Sequence, residues 1–173
     1  MTSEPIAPGQ WRLSFNEPEA GFLINVLARL GKHYQEDVAR MPPALRAYWQ
    51  GTITRGGVAG KDDMKESQGV LADARAELRA ERLALVENWL REFELTEERD
   101  PWKVEVSSAE RDEFVAMLND RRMLLALELG ITEEDMEADL GQISNETRRA
   151  SILEIDVLGH FILVMLGPQI YRP

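Results

Sequence analysis

The chain has 173 residues, 44% hydrophobic and 29% charged, with 20 Lys plus Arg against 31 Asp plus Glu, a net charge of −11, and no cysteine. This length and balance fit one globular domain with a real core. The absence of thiols excludes disulfides, thiol catalysis and thiolate metal sites, and acidity without a cationic cluster opposes binding to a phosphate backbone.

Residues 1–10 hold an acid, two prolines and no apolar run, so they read as a disordered tail and not as a secretion signal. Trp11, Leu13 and Phe15 alternate with Arg12 and Ser14, the period of a half-buried strand. Asn16 and Glu19 have capping-box spacing, and Phe22, Leu23, Val26, Leu27 and Leu30 follow at helical spacing, which predicts a helix to about Val38 with a weak point at Gly31. Pro42 and Pro43 open a short helix, and four glycines between 51 and 60 mark a loop. A long helix is expected from about Asp62 to Phe93, with Met64, Leu71, Leu78 and Leu85 recurring every seven residues.

Trp102, Val104 and Val106 form a second alternating run, Ser107 and Glu110 a second capping box, and Gly130 the expected end of the helix that follows. Thr132 starts a short acidic helix, and Ser144 or Asn145 caps a last helix reaching Leu166. The stretches 11–27 and 102–118 match at a constant offset of 91, sharing Trp, a basic second residue, the capping pair and later apolar positions. Either two related halves or one local solution reached twice explains this. In both cases the two strands are expected to pair, because a lone strand leaves backbone groups unpaired. The fold class is thus mainly α (α+β): a single helical domain over 11–170, bundled around a buried C-terminal helix, with one small two-stranded ribbon.

Few motifs carry chemistry. The segment around Gly60-Lys61 fails as a phosphate-binding loop, since Arg55 stands where the first glycine belongs and Asp62 where the hydroxyl belongs. The acid-rich segments TEERD and TEEDMEAD lack calcium-loop spacing and suit solvated helix starts. Asn145-Glu-Thr147 matches a glycosylation acceptor only in a secreted chain. His33 reads as a surface histidine. Asp156 and His160, four apart on the most apolar helix, read as a buried polar pair or as a base with its orienter. Asn119, Asp120, Arg121 and Arg122 interrupt an apolar helix face. Arg121 on that face needs a carboxylate, which Glu154 or Asp156 is placed to supply, and the alternative is a pocket for an acidic group or a peptide terminus. These six residues, Asn119, Asp120, Arg121, Arg122, Asp156 and His160, form the candidate polar cluster. No catalytic, metal or cofactor residues are assigned.

LNDRRMLLALELGITEED at 118–135 resembles a stretch of a bacterial family catalogued as domain of unknown function 2017, best represented in actinobacteria, and WRLSFNEPEAGFLINVL, MPPALRAYW, residues 68–90 and residues 152–166 resemble its other segments in order. That family has no established reaction. Its members are often encoded near the adaptor of the Clp protease, so the resemblance implies a regulatory or protein-binding role. The most apolar stretch, 152–166, contains Glu154, Asp156 and His160 and is shorter than the ~20 residues of a membrane span. A non-catalytic interaction or regulatory protein of the bacterial cytoplasm is therefore expected, with a protein partner or self-association and with neither nucleic acid nor membrane. The alternatives are a small-molecule-binding protein or hydrolytic enzyme built on the Asp/His/Arg cluster, and a transcriptional regulator.

Overall fold

The computed structural model describes residues 1–50, 61–95 and 102–167. The glycine-rich segment 51–60, TEERD at 96–100 and the end of the expected domain at 168–170 lie outside them. Strand β1 (Thr2–Ala7) and strand β2 (Gln10–Phe15) form a hairpin, and β3 (Trp102–Ser107) pairs with β2, giving an antiparallel sheet in the order β1-β2-β3. The sheet is three-stranded, not two-stranded, and residues 2–7 are a strand where a tail was expected. β1 carries Pro5 and a register shift between Pro5 and Ala7, the irregularity of an edge strand that its composition concealed.

Helix α1 (Glu17–Gln35) starts on the capping box read from the sequence: Glu19 N–H donates to Asn16 Oδ1, and Asn16 N–H donates to Glu19 Oε2. Helix α4 (Ser108–Leu129) starts on the same device at Ser107 and Glu110 and ends at Gly130, whose φ of 58° is the left-handed conformation a C-cap requires. The two strand–helix units meet symmetrically. Trp11 pairs with Val106 and Phe15 with Trp102 around a central Leu13–Val104 pair. An offset of 91 converts each outer pair into the other, so the ribbon has a local two-fold at its centre.

Between them lie α2 (Pro43–Gln50) and α3 (Lys61–Leu95). After α4 come the short α5 (Glu133–Glu137) and α6 (Glu146–Leu166), the latter capped by Asn145. Arg148 donates to the Leu129 and Gly130 carbonyls and to Asp135, fixing the turn from α4 into α5. The Thr132 amide and hydroxyl, with Arg148, hold the Asp135 carboxyl down to about 2.

The centre of the core is not the C-terminal helix. α1 packs on α3 and α4, and α4 packs on α1, α2, β3 and α6. Phe114, Met117, Leu118 and Leu124 on α4 are buried together with Leu23, Leu27 and Leu30 on α1. α6 buries one face, through Ile152, Ile155, Leu158, Phe161 and Met165, and turns Leu153 and Leu163 to solvent. Its apolar run is longer than one buried face needs. Likewise, the buried stripe of α3 is Arg79, Val86, Trp89 and Phe93, and Leu71 is exposed. The seven-residue spacing through Leu71, Leu78 and Leu85 runs along the margin of the packing face: Leu78 is half-buried, and Leu85 packs against the core from a half-buried position. Trp89 stacks on Phe114 at 4.1 Å, and Phe93 meets Phe15 and Trp102 at 5.6 Å each, so aromatics join sheet, α3 and α4. α1 runs straight through Gly31, where a Cβ would stand 3.3 Å from Val86 Cγ1. The glycine sets close α1–α3 approach and does not break the helix. Among the described residues, no helix is long and apolar enough to cross a membrane.

Phe114→Ala is expected to cost about 3–5 kcal/mol in urea unfolding, and Leu163→Ala, on the outer face of α6, within about 0.5 kcal/mol. Equal losses would show that the outer face of α6 is buried as well.

Candidate functional site

Four consecutive residues of a helix point in four directions, 100° apart, and the structure distributes Asn119, Asp120, Arg121 and Arg122 accordingly. Asn119 is exposed. Asp120, 4% exposed, faces α1, α2 and α3. Its Oδ2 accepts from the Tyr34 hydroxyl at 2.7 Å and from Arg82 Nη1, and its Oδ1 accepts from the Tyr48 hydroxyl at 2.7 Å. One carboxylate thus joins α1, α2, α3 and α4. Burial first, and then the charge of Asp120 and the hydrogen bond to it, push the Tyr34 and Tyr48 hydroxyls well above their ordinary range. They are proton donors to a fixed anion and are unsuited to serve as bases or nucleophiles.

A second polar knot lies beside the first. Arg79 Nη2 donates to the carbonyls of His33, Tyr34 and Glu36 at 3.0, 2.9 and 2.7 Å, satisfying the orphan end of α1. Its guanidinium lies 5.2 Å from the Trp49 ring centre. Trp49 Nε1 donates to His33 Nε2 at 3.0 Å. His33 is therefore a buried acceptor, not a surface histidine, and burial holds its pKa below the ordinary value.

Arg121 Nε donates to Glu154 Oε1 at 2.7 Å, and Glu154 Oε2 also accepts from Arg29 at 3.0 Å. This is the interhelical ion pair that the helix pattern requires, made with Glu154 and not with Asp156. Asp156 and His160 are exposed, correcting their reading as a buried pair: they lie on the solvent side of α6. Both line a shallow groove between α4 and α6 with Arg122, Ile155, Gly159 and Leu163. The groove continues past Arg122 and Ile155 to Met123, Ile131 and Met136. Arg122, Asp156 and His160 therefore share one surface, and Asp120 and Arg121 belong to the interior.

Arg122 differs from the other arginines with a buried Nε. Arg46, Arg79 and Arg82 place another nitrogen on a carbonyl or carboxylate. Among the described residues, Arg122 takes no hydrogen-bond or ionic partner, and its Nε is enclosed and unpaired. The guanidinium lies against Gly159 of α6, where an added Cβ would stand at ordinary contact distance, 3.6 Å from its Cζ. Among the described residues, no group of three or more His, Asp or Glu is placed to hold a metal ion.

Tyr34, Tyr48, Arg79 and Arg82 escaped the sequence reading, and His33 was placed on the surface by it. The available signal was Arg75, Arg79 and Arg82 at helical spacing, in line with Val86, Trp89 and Phe93. Cations on the same stripe as the apolar residues must find carbonyls or a carboxylate. The chain matches no protein-family model, no curated protein and no solved structure.

Asp120→Ala leaves the Arg82 charge buried beside two unpaired phenols and is expected to cost about 3–5 kcal/mol in urea unfolding. The tyrosines add a pH signature. Their folded pKa values lie above the unfolded value, so their stabilisation is complete below about pH 10 and is lost as pH rises through the folded values. Tyr34→Phe with Tyr48→Phe should flatten the alkaline limb of stability against pH, and an unchanged limb would disprove that linkage.

Proposed function

We propose that this chain is a non-catalytic protein-interaction protein, regulatory in the sense implied by the 2017 family it resembles, and that a partner docks in the α4–α6 groove. The observation that carries this reading is the division of charges on α4. Asp120 and Arg121 are neutralised inside the fold, and Arg122 alone of the three is left unpaired, within an apolar groove. Met123 and Leu163 along that groove are 40% and 62% exposed. A guanidinium framed by aliphatic surface suits a carboxylate carried beside apolar side chains, as at an acidic peptide segment or chain terminus. Asp156 and His160 sit on the open rim, and among the described residues neither bonds a serine or threonine hydroxyl, which argues against the hydrolytic alternative.

The test uses the tagged chain expressed in its own cells. Wild type should retain one stoichiometric protein. Arg122→Glu should weaken that complex about 30-fold or more, the effect of removing one member of an enclosed charge pair, and Leu163→Asp should weaken it too, with unfolding midpoints unchanged. Full retention of the partner by both variants would sink the groove as the docking site.

A further inference from the structure

The sheet has two edges, and they are built differently. β1 is irregular, carries Pro5 and lies against α6. β3 is a regular six-residue strand with no proline and no register shift against β2, and among the described residues no strand pairs on its other side. Which of its backbone groups face outward follows from one bond. Ser108 N–H donates to the Gly9 carbonyl at 2.9 Å, and residues 108 and 9 continue the β2–β3 register. In an antiparallel pair, bonded and non-bonded positions alternate. Trp102, Val104 and Val106 therefore spend their amides and carbonyls on β2, and Lys103, Glu105 and Ser107 turn theirs away. The Ser107 amide goes to Glu110 at 2.8 Å, as an outward amide can. The amides and carbonyls of Lys103 and Glu105 are left along the open edge.

Leu85, Trp89, Val104, Glu105 and Val106 line a cleft of about 310 Å³ between α3 and β3. Three successive strand residues, whose side chains alternate between faces, line one cleft only where it runs along the strand's edge. On the outer face, charge alternates across the sheet: Arg12 of β2 bonds Glu4 of β1 at 3.3 Å and Glu105 of β3 at 2.8 Å. The next strand would continue the ladder by placing a cation against Glu105.

We infer that this edge pairs with a second copy of the chain, β3 against β3, antiparallel about a two-fold at Val104. In that register Lys103 faces Glu105 of the second copy, and Glu105 faces its Lys103. Both residues carry outward groups, so each of the two facing pairs exchanges two backbone bonds, four in all, and satisfies every open group of Lys103 and Glu105. Centring the pair on Lys103 or on Glu105 instead would set like charges against each other, which is unfavourable. Among the three centres from Lys103 to Glu105, charge therefore selects Val104. The contact is isologous, as a two-fold dimer requires, and joins two three-stranded sheets into one of six strands. It names one partner within the interaction reading and uses a surface separate from the Arg122 groove, so the two ideas fail independently.

The test is sedimentation of the full chain at about 100 μM, with charge exchange at the edge. Wild type should sediment as a dimer. Lys103→Glu and Glu105→Lys should each be monomeric, because like charges then face across the two-fold. Mixed one to one they should form a heterodimer, and the double exchange K103E/E105K should restore the homodimer, a rescue that damaged folding cannot produce. A monomeric wild type, a dimer indifferent to the single exchanges, or single variants that fail to pair when mixed would each overturn the proposal. So would an edge that binds only a foreign extended peptide. A monomer that still loses its cellular partner on Arg122→Glu would overturn the edge pairing alone and leave the groove intact.

Discussion

A single buried carboxylate holds the helices in register. Asp120 is surrounded by hydroxyls from α1 and α2 and a guanidinium from α3, and every element that contributes must be in place for the charge to be tolerated. An unpaired carboxylate in that position would cost several kcal/mol, more than most single apolar contacts contribute. The group is thus weak evidence for net stability and strong evidence for specificity: a shift of α1, α2 or α3 along its axis would strand an anion. Arg79 imposes the same demand at the end of α1, where one nitrogen closes three carbonyls and the guanidinium covers Trp49. Polar groups at the centre explain how a bundle whose helices have broad apolar surfaces settles on one arrangement.

The sheet performs a different task. Its inner face, Leu13, Phe15, Trp102, Val104 and Val106, is buried against the aromatics of α3 and α4, and its outer face carries a ladder of alternating charge. A small sheet with one apolar face gains stability by packing that face on a helix layer, and that layer is supplied by the helices that Asp120 locates. The two capped helices leave the ribbon in a local two-fold relation, yet their surroundings differ. Trp11 donates to Ser108 and lies under Arg111 at 4.0 Å. At the equivalent positions beside Trp102 stand Glu17 and Ala20, and Ala20 has no cation to lay over the ring. What symmetry there is belongs to backbone pairing and capping, not to side-chain chemistry.

Charge at the surface follows from how the interior is satisfied. α4 presents an acid and two arginines in succession, and the interior absorbs two of them. The helix repeat forces the third onto the groove with α6, where no described residue meets it. The same reasoning applies to β3, whose amides alternate between a partner and open space. In both places the unsatisfied group follows from a regular element with satisfied groups on one side and none on the other, which is the physical condition for recognition.

The local devices were legible in the residues alone. Both capping boxes, the Gly130 terminus, the alternation of β2 and β3 and the demand of Arg121 for a carboxylate depend on neighbours within a few positions along the chain or on a single helix face, so spacing determines them. Tertiary structure decided the rest. Strand β1 exists because β2 offers it an edge, against a composition of prolines and polar residues. Asp156 and His160 are outside because α6 buries only one side, and hydropathy cannot say which. His33 is inside because Arg79 and Trp49, 46 and 16 residues away, close over it. Asp120 became the hub only when Tyr34, Tyr48 and Arg82 converged from three other helices. Such convergence leaves no periodic trace, because the distance along the chain between its members is set by loop lengths and crossing angles and not by the repeat of any one helix.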